Sequence, residues 1–315
     1  MQIEKYHWKT EEAFNCIRKG KPVVLKECPI VFPAHSNWSF ETIADMIKDD
    51  FPCDVFVSES KRFPYWDSSK NSYQYEFIPP TEKVTMTFRE FLLNVRSQDE
   101  PANEKKYHYL HQSLVAEMGP RILEEYTKFS LQTAALYKVL AGWNELTHNL
   151  LLCGKEGYTT PLHFDEQENI FTQLQGKKRV RLFSPNWWYA LYPFPNGHPR
   201  DRQSQVILPS EPGCSILEDE SDRFRFPAYE SAFKDVGMNE LYTDLEAGEV
   251  LYIPQYWFHQ MEALTDNVSL SWWFKHTNKK DIDYKNLRLD DVSLTAVRRN
   301  IGMIVICNIV RLQII

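Results

Sequence analysis

The pattern His163-Phe164-Asp165, joined by His259 far downstream, constrains the fold of this 315-residue chain more than any other feature. Two imidazoles and one carboxylate are the ligand set of a facial iron site, in which three positions of an octahedron stay open for oxygen and a co-substrate. In a β-strand residues i and i+2 point to the same side, so His163 and Asp165 can grip one ion while Phe164 points away. His259 then has to arrive on a strand beside them. The residues around it agree: Val250-Leu251-Tyr252-Ile253 reads as a strand ended by Pro254, and His259, Met261 and Ala263 alternate beyond the turn.

A His-x-Asp with a distant His also arises by chance, and Lys178 is what adds weight. Asn169 to Gln175 reads as a strand, Gly176-Lys177 as a tight turn, and Lys178 to Phe183 as the return strand. Lys178 then shares an inward face with Val180 and Leu182, while Arg179 and Arg181 take the outer one. An ammonium among apolar groups needs a counter-charge. The carboxylate of an anionic co-substrate reaching in from the metal would supply it, with a hydroxyl from Thr160; the alternative is that Lys178 runs out to a strand edge.

Longer strings extend the pattern. Thr160-Pro-Leu-His163-Phe-Asp165-Glu-Gln-Glu-Asn169, Gly176-Lys-Lys178-Arg179, Leu191-Tyr-Pro-Phe-Pro, Asp201-Arg202-Gln203-Ser204-Gln205-Val206 and Gly248-Glu-Val-Leu-Tyr-Ile-Pro254-Gln-Tyr-Trp-Phe-His259 resemble the JmjC-type Fe(II)/2-oxoglutarate oxygenases. Within that family the likeness is greatest to the asparaginyl hydroxylases of hypoxia-inducible factor. The resemblance implies a mainly β fold with flanking helices, a double-stranded β-helix of the cupin or jelly-roll kind, holding Fe(II) through His163, Asp165 and His259. It implies 2-oxoglutarate and O2 as co-substrates, with ascorbate in support. The distal carboxylate would sit against Lys178, Thr160 and Tyr109, with Asn169 and Ser271 lining the same pocket. Arg202 and Gln203 would hold a target amide, Tyr65, Trp66 and Trp273 would wall the groove, and Glu166 and Gln167 would flank it.

The implied reaction converts 2-oxoglutarate to succinate and carbon dioxide while a protein side chain is hydroxylated. Ankyrin-repeat proteins and a hypoxia-inducible transcription factor are the implied substrates, in the cytoplasm and nucleus as part of a hypoxia response. Two departures bear on the substrate more than on the cofactor: Ser271-Trp272-Trp273 replaces an Asn-Phe-Trp string, and His111 stands where the family has a glutamine. Other readings are a JmjC oxygenase with another target (a lysyl, arginyl or histidyl hydroxylase or a lysine demethylase), or a non-catalytic peptide-binding barrel.

With 43% hydrophobic and 14% aromatic residues the chain can bury a large core, which favours one barrel-centred unit. The expected organisation is a flank of strands and helices over 1–120, a barrel core over 121–280 with an insertion at 196–246, and a helical tail over 281–315. Lys21 to Leu25 reads as an edge strand, Ser39 as the cap of an amphipathic helix, and Thr87 to Glu90 as a capping box opening a helix through Val95. The insertion reads as partly irregular and builds the substrate side of the mouth. A net charge of −7 argues against direct nucleic-acid binding. The six cysteines show no pairing or zinc spacing and read as reduced thiols of an intracellular protein, and the start has no apolar export segment. From Asp291, Leu294, Val297, Ile301, Ile304 and Val305 recur at helical spacing. That run is broken by Asn308 and Arg311 and is too short for a membrane span. The resemblance implies a homodimer made by two C-terminal helices of each copy; the second helix is missing from this pattern, so the expectation is either a different pairing through the apolar tail or a truncated form.

Overall fold

The computed structural model describes residues 1–72, 74, 76–98 and 105–276. Thirteen strands are present among them: β1 (Lys5–His7), β2 (Val23–Lys26), β3 (Cys53–Ser58), β4 (Glu82–Met86), β5 (Tyr107–Gln112), β6 (Trp143–Gly154), β7 (Thr159–Phe164), β8 (Glu168–Gln175), β9 (Lys178–Phe183), β10 (Leu241–Leu245), β11 (Val250–Ile253), β12 (Phe258–Ala263) and β13 (Asn267–His276). They form a nine-stranded sheet in the order β1-β2-β11-β8-β13-β6-β5-β3-β4 and a four-stranded sheet in the order β10-β9-β12-β7.

From β6 onward the chain passes back and forth between the two sheets. Strands β6, β8, β11 and β13 lie in the large sheet and β7, β9, β10 and β12 in the small one, with antiparallel neighbours throughout. This winding is the double-stranded β-helix. It corrects one expectation: β8 and β9 are not a hairpin, because Gly176 carries the chain from one sheet to the other. The glycine is required there, since its φ is +74° and an added Cβ would stand 2.1 Å from the Asp266 carbonyl oxygen.

Alternation along the strands fills the space between the sheets. Phe171, Val180, Leu182, Leu251, Ile253 and Met261 meet there as one apolar cluster. The other face of the large sheet is covered by helices, with Val23, Ile170, Tyr252 and Trp272 packed among Ile43, Phe91 and Tyr137. Strand β8 is therefore covered on both faces and buried over almost its whole length. The helices start where their caps predict. Ser39 opens Phe40–Met46 and Thr87 opens Phe88–Ser97, each with a reciprocal capping box.

Two further expectations, the edge strand and the outward Arg181, are corrected. Strand β2 is not an edge, because β1 pairs beside it in parallel. The 196–246 stretch is partly irregular, as expected, and carries three short helical segments before it ends in β10. Its apolar residues, among them Val206, Leu208, Leu217, Phe226 and Tyr229, form a small core with Leu191 and Tyr192. Arg181 is not solvent-facing. It is 2% exposed and forks onto Glu240, with its Nη2 2.9 Å from Glu240 Oε2 and a further bond to the Pro209 carbonyl oxygen. The insertion has covered the outer face of the small sheet and supplied the carboxylate that a buried guanidinium needs.

The expected tail helix and its homodimer contact lie outside the described residues. Within the described residues no helix is long and apolar enough to cross a membrane, and Cys16, Cys28, Cys53, Cys153 and Cys214 are free thiols.

Candidate metal centre and active site

His163 and His259 are direct register partners across the β7–β12 ladder, and their ring centroids are 4.2 Å apart. Strand β7 ends at Phe164, so Asp165 stands one residue past it, its carbonyl oxygen accepting a 2.8 Å bond from the Tyr256 amide in the turn before β12. One ligand atom from each of His163, Asp165 and His259 falls within 4.8 Å of the others. Each ring donates Nδ1–H to a carbonyl oxygen two residues back, His163 to Pro161 and His259 to Trp257, both at 2.9 Å. A carbonyl can only accept, so the proton is fixed on Nδ1 and Nε2 presents its lone pair.

Burial pulls the His163 pKa down to about 4, and the neighbouring His259 and Arg202 work in the same direction. Burial also works to raise Asp165, but the His259 and His163 rings, the Trp273 indole and the Arg202 guanidinium outweigh it and hold its carboxyl below the ordinary value. Neutral His163 and an ionised carboxylate are the forms that bind a divalent cation. The donor set thus fits Fe(II) in its chemistry.

A cavity of about 650 Å³ opens on these ligands. At its inner end Lys178 is 1% exposed; its Nζ donates to the Tyr109 hydroxyl at 3.3 Å and lies over the Phe171 ring at 5.4 Å. No carboxylate among the described residues pairs with it, and burial lowers its pKa to about 7. Tyr109 is hydrogen-bonded to Thr160, and burial raises its pKa. Asn169 Oδ1, Ser271 Oγ and His111 Nε2 are buried on the same cavity wall without a hydrogen-bond partner. Burial first, then Lys178 and His163, drives the His111 pKa to about 3, so this ring is neutral. A lone buried ammonium beside unsatisfied polar atoms fits a dicarboxylate reaching in from the metal.

On the outer side, the segment 202–204 lies along the free edge of β7. Phe164 N donates to Arg202 O at 3.1 Å and Ser204 N to Leu162 O at 2.8 Å. This places the Arg202 guanidinium 3.9 Å from Asp165. Gln203 lines the cavity, but its amide is engaged at both ends, with Tyr65 O and with Arg200 Nε. Arg202 is left as the group better placed to meet a substrate. Tyr65, Glu166 and Gln167 line the same cavity, the last anchored to Thr147 Oγ1 at 3.0 Å.

Trp66 does not reach the cavity. Its indole N–H donates to Thr81 O at 2.9 Å, and Lys83 lies over its ring at 4.4 Å. Trp273 lines the cavity and also donates Nε1–H to Asp165 Oδ2 at 2.8 Å, a link the sequence reading missed. It missed His148 as well, whose ring stacks on Trp273 at 4.5 Å and 10°. The signal was present, because His148, Leu150 and Leu152 alternate along β6 and all line the cavity.

A family profile described as a cupin-like domain matches residues 9–280. A lysine-specific demethylase of Arabidopsis thaliana, JMJ30, is 25% identical over 258 residues, which is 82% of this chain and 50% of that protein. JmjC domain-containing protein F of Dictyostelium discoideum is 31% identical over 57% of this chain and 38% of its own length. Lysine-specific demethylase 8 of Xenopus tropicalis is 31% identical over 42% of this chain and 26% of its own. The chain thus spans half or less of the length of these relatives, and the comparisons do not carry the particular kinship with asparaginyl hydroxylases. The winding of the strands, the His-Asp-His cluster and the span of the profile agree: the chain belongs to the cupin-like domain family, with JmjC-domain proteins among its relatives.

Proposed function

We propose that this chain is an Fe(II)- and 2-oxoglutarate-dependent oxygenase of protein side chains. The observation that carries this reading is Lys178, a buried ammonium with no acid partner among the described residues, in a cavity that also presents His163, Asp165 and His259. A binding module has no use for that combination. His163, Asp165 and His259 would hold the iron, with ascorbate keeping it ferrous. Lys178, Tyr109 and Thr160 would take the distal carboxylate, and Asn169 and Ser271 would supply the remaining polar contacts. Bound iron and 2-oxoglutarate supply oxygen activation, with succinate and carbon dioxide as by-products. The chain's own task is to fix both groups, keep water out of the inner cavity and present one substrate C–H bond.

Two targets have specific support. Relatives named as lysine-specific demethylases favour methyl-lysine. Arg202, a cation 3.9 Å from Asp165, favours a neutral side chain such as asparagine over a cationic one, which fits the expected ankyrin-repeat and hypoxia-inducible-factor substrates of the cytoplasm or nucleus.

Mass spectrometry decides between them. An ankyrin-repeat protein and methyl-lysine peptides are incubated with the chain, Fe(II), ascorbate and 2-oxoglutarate, with succinate followed in parallel and His163→Ala as control. One oxygen gained on asparagine supports hydroxylation; methyl groups lost with formaldehyde support demethylation. No succinate from iron-loaded protein overturns the oxygenase reading.

A further inference from the structure

Beside the outer edge of β7 the stretches that carry Arg62 and Arg200 come together, and among the described residues neither guanidinium has an acid partner. Arg62 is bridged to Thr159 at the start of β7, and Arg200 lies three residues before Gln203, which bridges to His163 farther along the same strand. The two stretches are stitched together: Asp67 N donates to Pro199 O at 2.9 Å, and the Gln203 amide donates to Tyr65 O. The Arg200 side chain is pre-set. Its guanidinium carbon lies 4.7 Å over the Phe194 ring, its Nε donates to Gln203 Oε1 at 3.3 Å, and Phe194 in turn stacks on His198 at 4.4 Å.

Both arginines are half-buried, and among the described residues neither forms an ion pair. Asp201, one residue on from Arg200, is taken by Lys70 at 2.9 Å. Burial pushes both guanidinium groups below their ordinary pKa, and for Arg200 the charge of Arg62 adds to it. Elsewhere the fold answers such a burden with an acid, as Glu240 does for Arg181. Two like charges drawn partly out of water cost free energy that an anion in a fork geometry offsets. In a chain of net charge −7, general attraction to acids is not the explanation.

We infer that Arg62 and Arg200 form a carboxylate-binding subsite beside the substrate mouth, which takes an Asp or Glu side chain of the polypeptide presented to the metal cavity. The polypeptide part of this inference rests on the function proposed above. Gln203 and Tyr65 connect the subsite to the reacting centre, because both line the cavity and Gln203 also contacts Arg200. An acidic residue held there sets which neighbouring side chain faces the metal.

The test reads binding, so a chain that turns nothing over still answers it. The full chain, loaded with Mn(II) and 2-oxoglutarate without oxygen, is titrated into a fluorescent peptide of alternating Glu and Gly, and into its Gln counterpart, with anisotropy as readout. The Glu peptide should bind about tenfold tighter or better. Arg62→Gln or Arg200→Gln should each shrink that advantage, the double variant should erase it, and Lys19→Gln, at an exposed lysine of the N-terminal region, should leave it intact. Arg→Lys variants, which keep charge but lose the fork, should fall between, and they serve if a Gln variant fails to fold. Equal binding of the two peptides, an advantage that survives the double variant, or one lost equally in Lys19→Gln overturns the subsite. Displacement of the Glu peptide by an equal concentration of free glutarate overturns its assignment to a polypeptide.

Discussion

Trp273 donates its indole N–H to Asp165 Oδ2 at 2.8 Å, so a side chain from the central strand of the large sheet orients a candidate metal ligand just past the end of a small-sheet strand. The bond is made to the carboxylate oxygen that lies 3.7 Å from His259 Nε2, the other oxygen lies 3.9 Å from the Arg202 guanidinium, and His148 stacks on the indole plane.

Trp273→Phe keeps the ring and loses the donor. Metal affinity, read by Mn(II) titration, should fall about tenfold or more, the usual cost of removing a group that orients a ligand. A variant with unchanged metal affinity but weakened peptide binding would return Trp273 to a purely substrate-facing role.

Lys178→Met should raise the KM for 2-oxoglutarate by about tenfold to a hundredfold, with little change in Mn(II) affinity. The unfolded chain keeps this lysine charged up to about its ordinary value of 10.5, whereas the ligand-free fold keeps it charged only to about 7. Between those limits the unfolded state binds more protons, so through this residue the ligand-free fold gains stability as pH rises from about 7 toward 10.5. Over the same range the affinity for 2-oxoglutarate should fall, because the dicarboxylate needs the ammonium. Urea unfolding and calorimetric titration against pH check the two slopes, and both should flatten in the Met variant.

Glu240→Gln strands the Arg181 guanidinium in the core. A loss of about 3 kcal/mol in urea unfolding is expected. Arg181→Met with Glu240→Leu should recover much of it, since a packed apolar pair carries no desolvation cost.

Gly176→Ala places a methyl group where Asp266 already puts a carbonyl oxygen, at a left-handed φ. The loss should be about 2 kcal/mol or more. Because the turn sets the start of β9, the KM for 2-oxoglutarate should rise even under conditions where the variant is fully folded.

His163, His259 and Lys178 were legible because they lie on strands that the apolar pattern marks clearly, and Asp165 because it follows the end of its strand by a single residue. What failed did so for identifiable reasons. A strand, a glycine turn and a strand read the same whether the turn closes a hairpin or carries the chain to another sheet, so the crossing at Gly176 was hidden. Arg181 looked outward because its partner, Glu240, arrives from a distant insertion whose packing leaves no periodic trace. Strand β2 read as an edge because β1, with only three residues, is too short to announce itself. Trp66 and Trp273 were indistinguishable as groove aromatics, since which acceptor an indole finds depends on tertiary placement.

Strand β7 ends the small sheet, yet its outer edge is already filled by this same chain. Phe63 N and Lys61 O bond to Thr159, and Arg202 O and Ser204 N bond to Phe164 and Leu162. An open strand edge invites another polypeptide to add itself in register, whether as substrate or as the first step of aggregation. Here the bearer of His163 has no row of idle amides to offer. A visiting polypeptide must therefore be recognised by its side chains at the cavity mouth, and a destabilised copy of the molecule cannot be recruited through the strand that holds the metal unless the 61–63 and 202–204 segments first peel away.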